Sequence, residues 1–315
     1  MKRKITIIGA GTVGATVGYL LVAKNIASEI VFIDINKDKA NGEALDILQA
    51  TPFLSPSVVR AGDYEDAAKS DIVIITSGLP RKPGQSRTDL AQANVNILKS
   101  IAPKITAYAP NAIYIIVANP VDVLTYAFIK MTNIPAKQVI GSGTSLDTAR
   151  LRTKLSSELK VNPLQIDCNV YGEHGDTSFV PWSLAKVEGV SIENYAKIIT
   201  TGREKVCFNK EETETYVKKS GATIIQQKGV TNYGVAAAVS HICECLYGGV
   251  ASILCVSVLL SGEYGISDVC LSIPTVLNRK GVKTTLTPTL TEEEQAKLEL
   301  SANAMKSVIN SLDFN

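Results

Sequence analysis

Apolar and polar positions change rhythm several times along this chain, and the changes predict its elements. Lys4-Ile-Thr-Ile-Ile8 is a short β-type run ending at Gly9-Ala-Gly11-Thr-Val-Gly14. A helical pattern from about Thr12 to Lys24 follows, and then a second strand, Ile30–Ile33, that ends at Asp34. Lys37 to Gln49 reads helical, Val58-Val59 begins a short strand, and Ile72–Thr76 reads as a buried parallel strand. A helix from roughly Asp89 to Ala107 leads to the strand Ile113–Val117, and another helix precedes Val139-Ile140-Gly141. Six strand candidates alternating with helices predict a doubly wound parallel sheet for the first half.

From Ser145, where a helix starts, the pattern is mixed. Helices are expected near Ile192 to Lys205, Glu211 to Gln227, Val235 to Ser257 and Thr291 to Leu312. Strand-like segments lie around Ser183–Val187 and Val269–Val276. There is no internal repeat and no low-complexity linker. The expected organisation is an α/β domain of Rossmann type over residues 1–146, then a mixed α+β domain over 147–315, with an extensive interface between them.

Composition narrows the classes. A length of 315 residues suits about two domains, and 45% hydrophobic against 20% charged residues allows a substantial core. A formal charge of +2 offers no basic stripe for nucleic acid or an anionic membrane. Met1-Lys2-Arg3-Lys4 before an apolar run imitates a signal peptide, but Gly9, Gly11, Gly14 and Gly18 break that run, and secretion is not expected. The apolar run Val250–Leu260 is too short to span a bilayer. Cys168, Cys207, Cys243, Cys245, Cys255 and Cys270 show no disulfide framework and no CxxC, which suits reduced thiols in a cytoplasm. His241-x-Cys243-x-Cys245 invites a metal reading, but alternate residues of a helix face different ways.

The chemistry lies elsewhere. Gly9-x-Gly11-x-x-Gly14 sits between a strand and a helix, with Asp34 twenty residues beyond Gly14. Glycines there permit the tight turn, the approach of a pyrophosphate to backbone N–H groups and close helix–strand packing. Asp34 would accept from ribose hydroxyls and repel a 2′-phosphate, favouring NAD over NADP. Leu79 to Thr88 holds two prolines, a glycine and the cations Arg81, Lys82 and Arg87, which predicts a loop at a strand's carboxyl end, suited to cover an anionic substrate. Asp147 and Arg150 are three apart on one helix face and can converge on one site. His174, one of two histidines, stands between glycines in Gly172-Glu-His-Gly-Asp176, where an open imidazole suits acid–base work.

Assembled, these segments resemble the L-lactate/L-malate dehydrogenase family over essentially the full length. The matching segments are GAGTVG, the Asp34 strand end, GLPRKPGQSRTDL, ANPVD, GSGTSLDTARLR, GEHGDTSFVPWS and KGVTNYG. GTSLDTAR and GEHGDTSFVPWS resemble the lactate branch, as does Thr231 in the pocket wall, and the chain starts without the N-terminal arm of vertebrate lactate enzymes. The resemblance implies that His174 exchanges the substrate hydroxyl proton, Asp147 orients its ring and Arg150 holds the substrate's C1 carboxylate. It implies that Arg87 polarises the carbonyl and that Asn119 bonds the same oxygen region and orients the nicotinamide. Gly9, Gly11, Thr12, Val13, Gly14, Asp34, Thr76, Gly78 and Asn119 would contact NAD.

In the family, the position of Arg81 faces the substrate's variable end, with glutamine usual in lactate enzymes and arginine in malate enzymes. A second carboxylate needs a cation, whereas closing over pyruvate could bury Arg81 unpaired. The long stem could instead carry the guanidinium to solvent. Lactate is the preferred expectation, with malate kept open on Arg81 and a non-catalytic NAD-binding scaffold as the alternative of another class. Bacterial lactate enzymes are often activated by fructose 1,6-bisphosphate through an arginine and a histidine. Arg152 matches the arginine, but Asp167 stands in place of the histidine and would repel a phosphate. The resemblance further implies a cytoplasmic enzyme of glycolysis or fermentation, assembled as a homo-oligomer, a dimer or a tetramer.

Overall fold

The structure, a computed structural model, describes residues 3–80, 87–200, 206 and 208–314. Its first half alternates as the apolar periodicity predicts. The strands are β1 (Lys4–Ile8), β2 (Glu29–Ile33), β3 (Val58–Ala61), β4 (Ile72–Ile75), β5 (Ile113–Ile116) and β6 (Val139–Gly141). Between them run α1 (Thr12–Ala23), α2 (Lys37–Ala50), α3 (Arg87–Tyr108) and α4 (Val121–Met131). The six strands pair in parallel in the order β6-β5-β4-β1-β2-β3. Every residue of β4 and β5 is buried, as expected of strands covered by helices on both faces. The order reverses between β1 and β4, and ligands of such sheets bind at that crevice.

The second half contains α5 (Ser145–Leu159), the short strands β7 (Ile166–Asp167), β8 (Lys186–Val187) and β9 (Val190–Ser191), then α6 (Ile192–Ile199), α7 (Lys210–Lys228) and α8 (Tyr233–Tyr247). It ends with β10 (Ser252–Ser261), β11 (Ser267–Asn278), β12 (Gly281–Thr285) and α9 (Glu292–Asn310). β7–β9 form a small antiparallel sheet. β10–β12 do something the pattern does not announce: they extend the parallel sheet beyond β6. Ser257 of β10 pairs with Gly141 of β6, so one nine-stranded sheet runs through both halves of the described chain.

Three expected elements need correction. The single helix from Val235 to Ser257 is instead α8, which stops at Tyr247, followed by β10 from Ser252. Gly248 and Gly249 break it, and the branched run Ile253, Val256, Val258 then favours an extended chain. The run Val250–Leu260 is therefore largely a sheet strand, and Cys255, Val256, Ser257 and Val258 within it are buried. The helix starting at Ile192 ends at Ile199, and residues 201–205 lie outside the described residues. Ser183 belongs to a 3₁₀ turn, Trp182–Leu184, and only Lys186–Val187 of that segment is strand. Among the described residues no helix is long and apolar enough to cross a membrane.

Candidate active site

The glycine loop after β1 is built by close approach. Gly9 has φ +106, and a Cβ there would lie 2.7 Å from Thr76 Oγ1. A Cβ on Gly14 would sit 1.9 Å from the Gly9 carbonyl oxygen, so α1 can cross β1 this closely only without a side chain. The space a Cβ on Gly11 would enter is open to 4 Å, and α1 begins with no side-chain cap and no acid in its first turn. Its leading N–H groups remain for an anion, the arrangement that binds a pyrophosphate. Thr12 and Val13 form that first turn. Asp34, at the end of β2, accepts from Ala10 N–H at 2.7 Å and from Asn36 N–H at 2.9 Å. Its carboxylate is thus oriented beside the loop, with lone pairs to spare for ribose hydroxyls. Thr76 donates to the Gly9 carbonyl at 2.9 Å, and Gly78 lies against Ala118 and Asn94. These residues stand at the carboxyl ends of β1, β2, β4 and β5, and the cradle fits a dinucleotide.

A second cluster forms where α5, the loop carrying His174, α4 and the β10–β11 pair meet. His174 Nδ1 lies 2.5 Å from Asp147 Oδ2, and Arg150 Nη1 donates to Asp147 Oδ1 at 2.9 Å. The i,i+3 spacing on α5 gives the second contact, and the loop brings the ring to the first. Asp147 is 5% exposed. Burial opposes its ionisation, but the charges and hydrogen bonds of His174 and Arg150 outweigh that and hold the carboxyl below its ordinary range. The Asp147 charge in turn raises the His174 pKa above the usual histidine value, against burial. The His174 side chain keeps a quarter of its surface exposed, so its other nitrogen can meet a ligand.

The histidine loop is pinned from several sides. Gly172 pairs with Ser272 of β11 through both backbone bonds, at 3.0 and 2.9 Å. Ser301 of α9 accepts from the Glu173 N–H at 2.7 Å, and Asp122 Oδ2 accepts from the His174 N–H at 2.7 Å. The Asn119–Pro120 peptide is cis. Asn119 Oδ1 accepts from Val121 N–H at 3.3 Å, and Nδ2 has no partner among the described residues. On α7, a Cβ on Gly221 would come within 3.3 Å of Arg150 Nη2, so the missing side chain lets the guanidinium pack close to that helix.

His174, Asp147 and Arg150 are therefore brought together, and Asn119 lies three residues before Asp122, beyond the carboxyl end of β5. Thr231 is half-buried in the turn joining α7 to α8, where Gly234 packs on Leu146 of α5. Arg87 opens α3, but its side chain lies outside the described residues, as does Arg81. Arg152 does not reach the cluster. It donates to Cys168 O and Asn169 Oδ1, and with Asp167 and Lys186 it lines a separate cavity of about 640 Å³. His241 and Cys245, four apart rather than two, do share a face, with Nε2 3.7 Å from Sγ, while Cys243 points into the core. Among the described residues no group of three histidines, cysteines or acids is placed to hold a metal. The described cysteines are free and buried, and Cys207 lies outside the described residues.

Residues the pattern did not single out hold the site together. Asn94 of α3, 2% exposed, bonds both Leu79 backbone groups and the Asn119 carbonyl, tying the chain after β4 to the Asn119 turn. Asp122, Ser257, Ser272 and Ser301 brace the histidine loop from four elements. An acid in the first turn after Asn119 was the one local sign of Asp122, and the serines offered none.

Comparison with known proteins gives a consistent picture. A family described as lactate/malate dehydrogenase, NAD binding domain, matches residues 3–141, and its alpha/beta C-terminal domain matches 144–313. The chain is 46% identical to an L-lactate dehydrogenase of Thermoanaerobacter sp. (strain X514) over 312 residues, covering 99% of this chain and 100% of that protein. It is 43% identical to one from Acetivibrio thermocellus, covering 99% and 98%. The structure superposes on a minor L-lactate dehydrogenase from Enterococcus mundtii in its ligands-bound form with a TM-score of 0.93 at 32% identity, covering 100% and 99% of the two chains.

Proposed function

The chain belongs to the lactate/malate dehydrogenase family, and from that premise we propose that it is an NAD-dependent L-lactate dehydrogenase. The reaction is pyruvate, NADH and a proton to L-lactate and NAD, and the reverse. The observation that carries the reading is one buried carboxylate, Asp147, holding both a histidine ring and a guanidinium. Bound NADH would supply hydride to the ketone carbon, and Gly9, Gly11, Thr12, Val13, Gly14, Asp34, Thr76, Gly78 and Asn119 would hold it.

The chain's own groups do the rest. Asp147 accepts Nδ1–H, which fixes the tautomer and leaves the other ring nitrogen to deliver a proton to the carbonyl oxygen. The same carboxylate stabilises the cation from which that proton leaves. Arg150 gives one edge to Asp147 and keeps nitrogens free for the substrate's C1 carboxylate. Asn119 Nδ2 donates to the substrate oxygen region, and Arg87 completes the stabilisation of its growing charge.

Full-length relatives named L-lactate dehydrogenase, at 43–46% identity, support pyruvate over oxaloacetate. The retained His174, Asp147 and Arg150 support a working enzyme over a scaffold. The test measures kcat/KM for pyruvate and oxaloacetate side by side, in wild type and in Arg81→Gln. Pyruvate is expected to win in wild type, with little change on substitution. Oxaloacetate winning by more than about tenfold, a difference one ion pair can supply, with reversal in the variant, would make this a malate enzyme. No NADH oxidation with any small 2-oxo acid would make it a scaffold.

Fructose 1,6-bisphosphate should activate weakly or not at all, because Asp167 places a carboxylate beside Arg152, which is already bonded within its own chain. A large fall in pyruvate KM on adding it would overturn this. A homo-oligomer, dimer or tetramer, is supported by the exposed apolar side chains of Leu45, Leu48, Phe53 and Leu54 on and just after α2, and sedimentation tests it. A cytoplasmic location accords with the free cysteines.

A further inference from the structure

The last two turns of α8 carry a group of side chains that the dehydrogenase site does not use. His241 and Cys245 are four residues apart and Glu244 is three from His241, spacings that make neighbours on a helix. The imidazole lies between the other two. Its Nε2 is 3.7 Å from Cys245 Sγ, and its Nδ1 is 3.4 Å from Glu244 Oε2. Glu244 Oε2 also accepts from Lys24 Nζ, at the end of α1, at 2.8 Å. That ion pair explains Glu244 as a tie between α1 and α8. It does not explain a thiol on the far nitrogen of the ring. A nucleophile, an imidazole and a third group orienting the imidazole are the arrangement that activates a cysteine.

The described cysteines divide on this point. Burial pushes Cys168, Cys243, Cys255 and Cys270 upward, away from ionisation at neutral pH. Burial opposes the ionisation of Cys245 too, and so does the Glu244 charge. Hydrogen bonds with His241 and with Ser252 of β10, joined by the His241 charge, outweigh both and hold this thiol below its ordinary value. The bond to Cys245 in turn raises the His241 pKa above the usual histidine value, against burial, and Glu244 adds to the rise. Cys245 is 7% exposed against 0% for Cys243, and its partner ring has over half its surface in solvent.

We propose that Cys245 is a modification site: a thiolate paired with the His241 imidazolium, which hydrogen peroxide oxidises to a sulfenic acid. The thiolate attacks one peroxide oxygen, and an S–O bond forms as the O–O bond breaks. Sulfur gives up the two electrons that the peroxide accepts. The leaving hydroxide takes its proton from the His241 imidazolium and departs as water. Glu244 is a positioning residue that steadies the ring through its other nitrogen. A small thiol from solution condenses with the sulfenic acid, releasing water, and exchange with a second one restores Cys245.

The test treats the native protein with peroxide in the presence of a cyclic 1,3-dione, which captures sulfenic acids. Mass spectrometry then reads the label cysteine by cysteine. Cys245 is expected to label at least about tenfold faster than Cys168, Cys243, Cys255 or Cys270, because the thiolate is the reactive form. His241→Gln, at an exposed position, is expected to slow the labelling of Cys245 about tenfold. Cys245 labelling no faster than Cys243, or at an unchanged rate in the variant, overturns the proposal. Cys243, in the core two residues away, also gauges folding: if its labelling rises in His241→Gln, His241→Asn takes its place with the same expectation. The measurement uses neither substrate nor dinucleotide, so its outcome is independent of the lactate reading.

Discussion

His174→Asn is expected to lower kcat for pyruvate reduction by about three to four orders of magnitude, the upper range for losing a positioned acid–base group. Asparagine has nearly the reach of the imidazole, and its amide can still donate to Asp147, so the buried carboxylate is not stranded. What it lacks is a proton that can be given up near neutral pH. Folding and dinucleotide binding should survive, because the glycine loop and Asp34 have their own backbone supports on β1 and β2. NADH fluorescence titration checks the second point, and absorbance at saturating pyruvate checks the first. A loss below about tenfold would mean that another group delivers the proton, since such a group is ordinarily worth at least a hundredfold.

Arg150→Lys is expected to raise pyruvate KM far more than it lowers kcat, reducing kcat/KM by a few hundredfold, about 3–4 kcal/mol. The guanidinium has a task on each side. Nη1 holds Asp147 at 2.9 Å, Gly221 leaves room for the guanidinium beside α7, and the remaining donors have no partner among the described residues. A lysine ammonium is a single point and cannot serve two carboxylates with a planar fork. If it stays with Asp147, the substrate loses its anchor; if it reaches for the substrate, the His174–Asp147 pair loses its third member. The second outcome would appear as a larger fall in kcat, so the ratio of the two losses reports which contact lysine keeps. A KM within about threefold of wild type would remove Arg150 from substrate binding, since one such pair is normally worth more.

The dinucleotide half is the part most legible in the residues. Glycines at 9, 11 and 14 and an acid at 34 constrain one another locally, so strand, turn and helix follow from a short window. Asp147 and Arg150 were readable for the same reason, being one helical turn apart. The antiparallel extension was not. β10 is buried on both faces in its middle, and a continuous apolar run of that kind has no period to separate it from the helix α8 before it. The braces of the active site were hidden for a different reason. Asp122 lies 52 residues from His174, and Ser301 lies 128 from Glu173. Each is an ordinary polar residue until the chain closes on itself.

The pairing of Ser257 with Gly141 has a mechanical consequence. The strand before the glycine loop, β1, and the strand that holds the histidine loop, β11, are parts of one continuous sheet, joined by hydrogen bonds from strand to strand. His174 and the glycine loop are therefore mounted on a common chassis. Opening the two halves like a jaw would break the Ser257–Gly141 pairing, so the shared sheet sets the placement of His174 relative to the cradle.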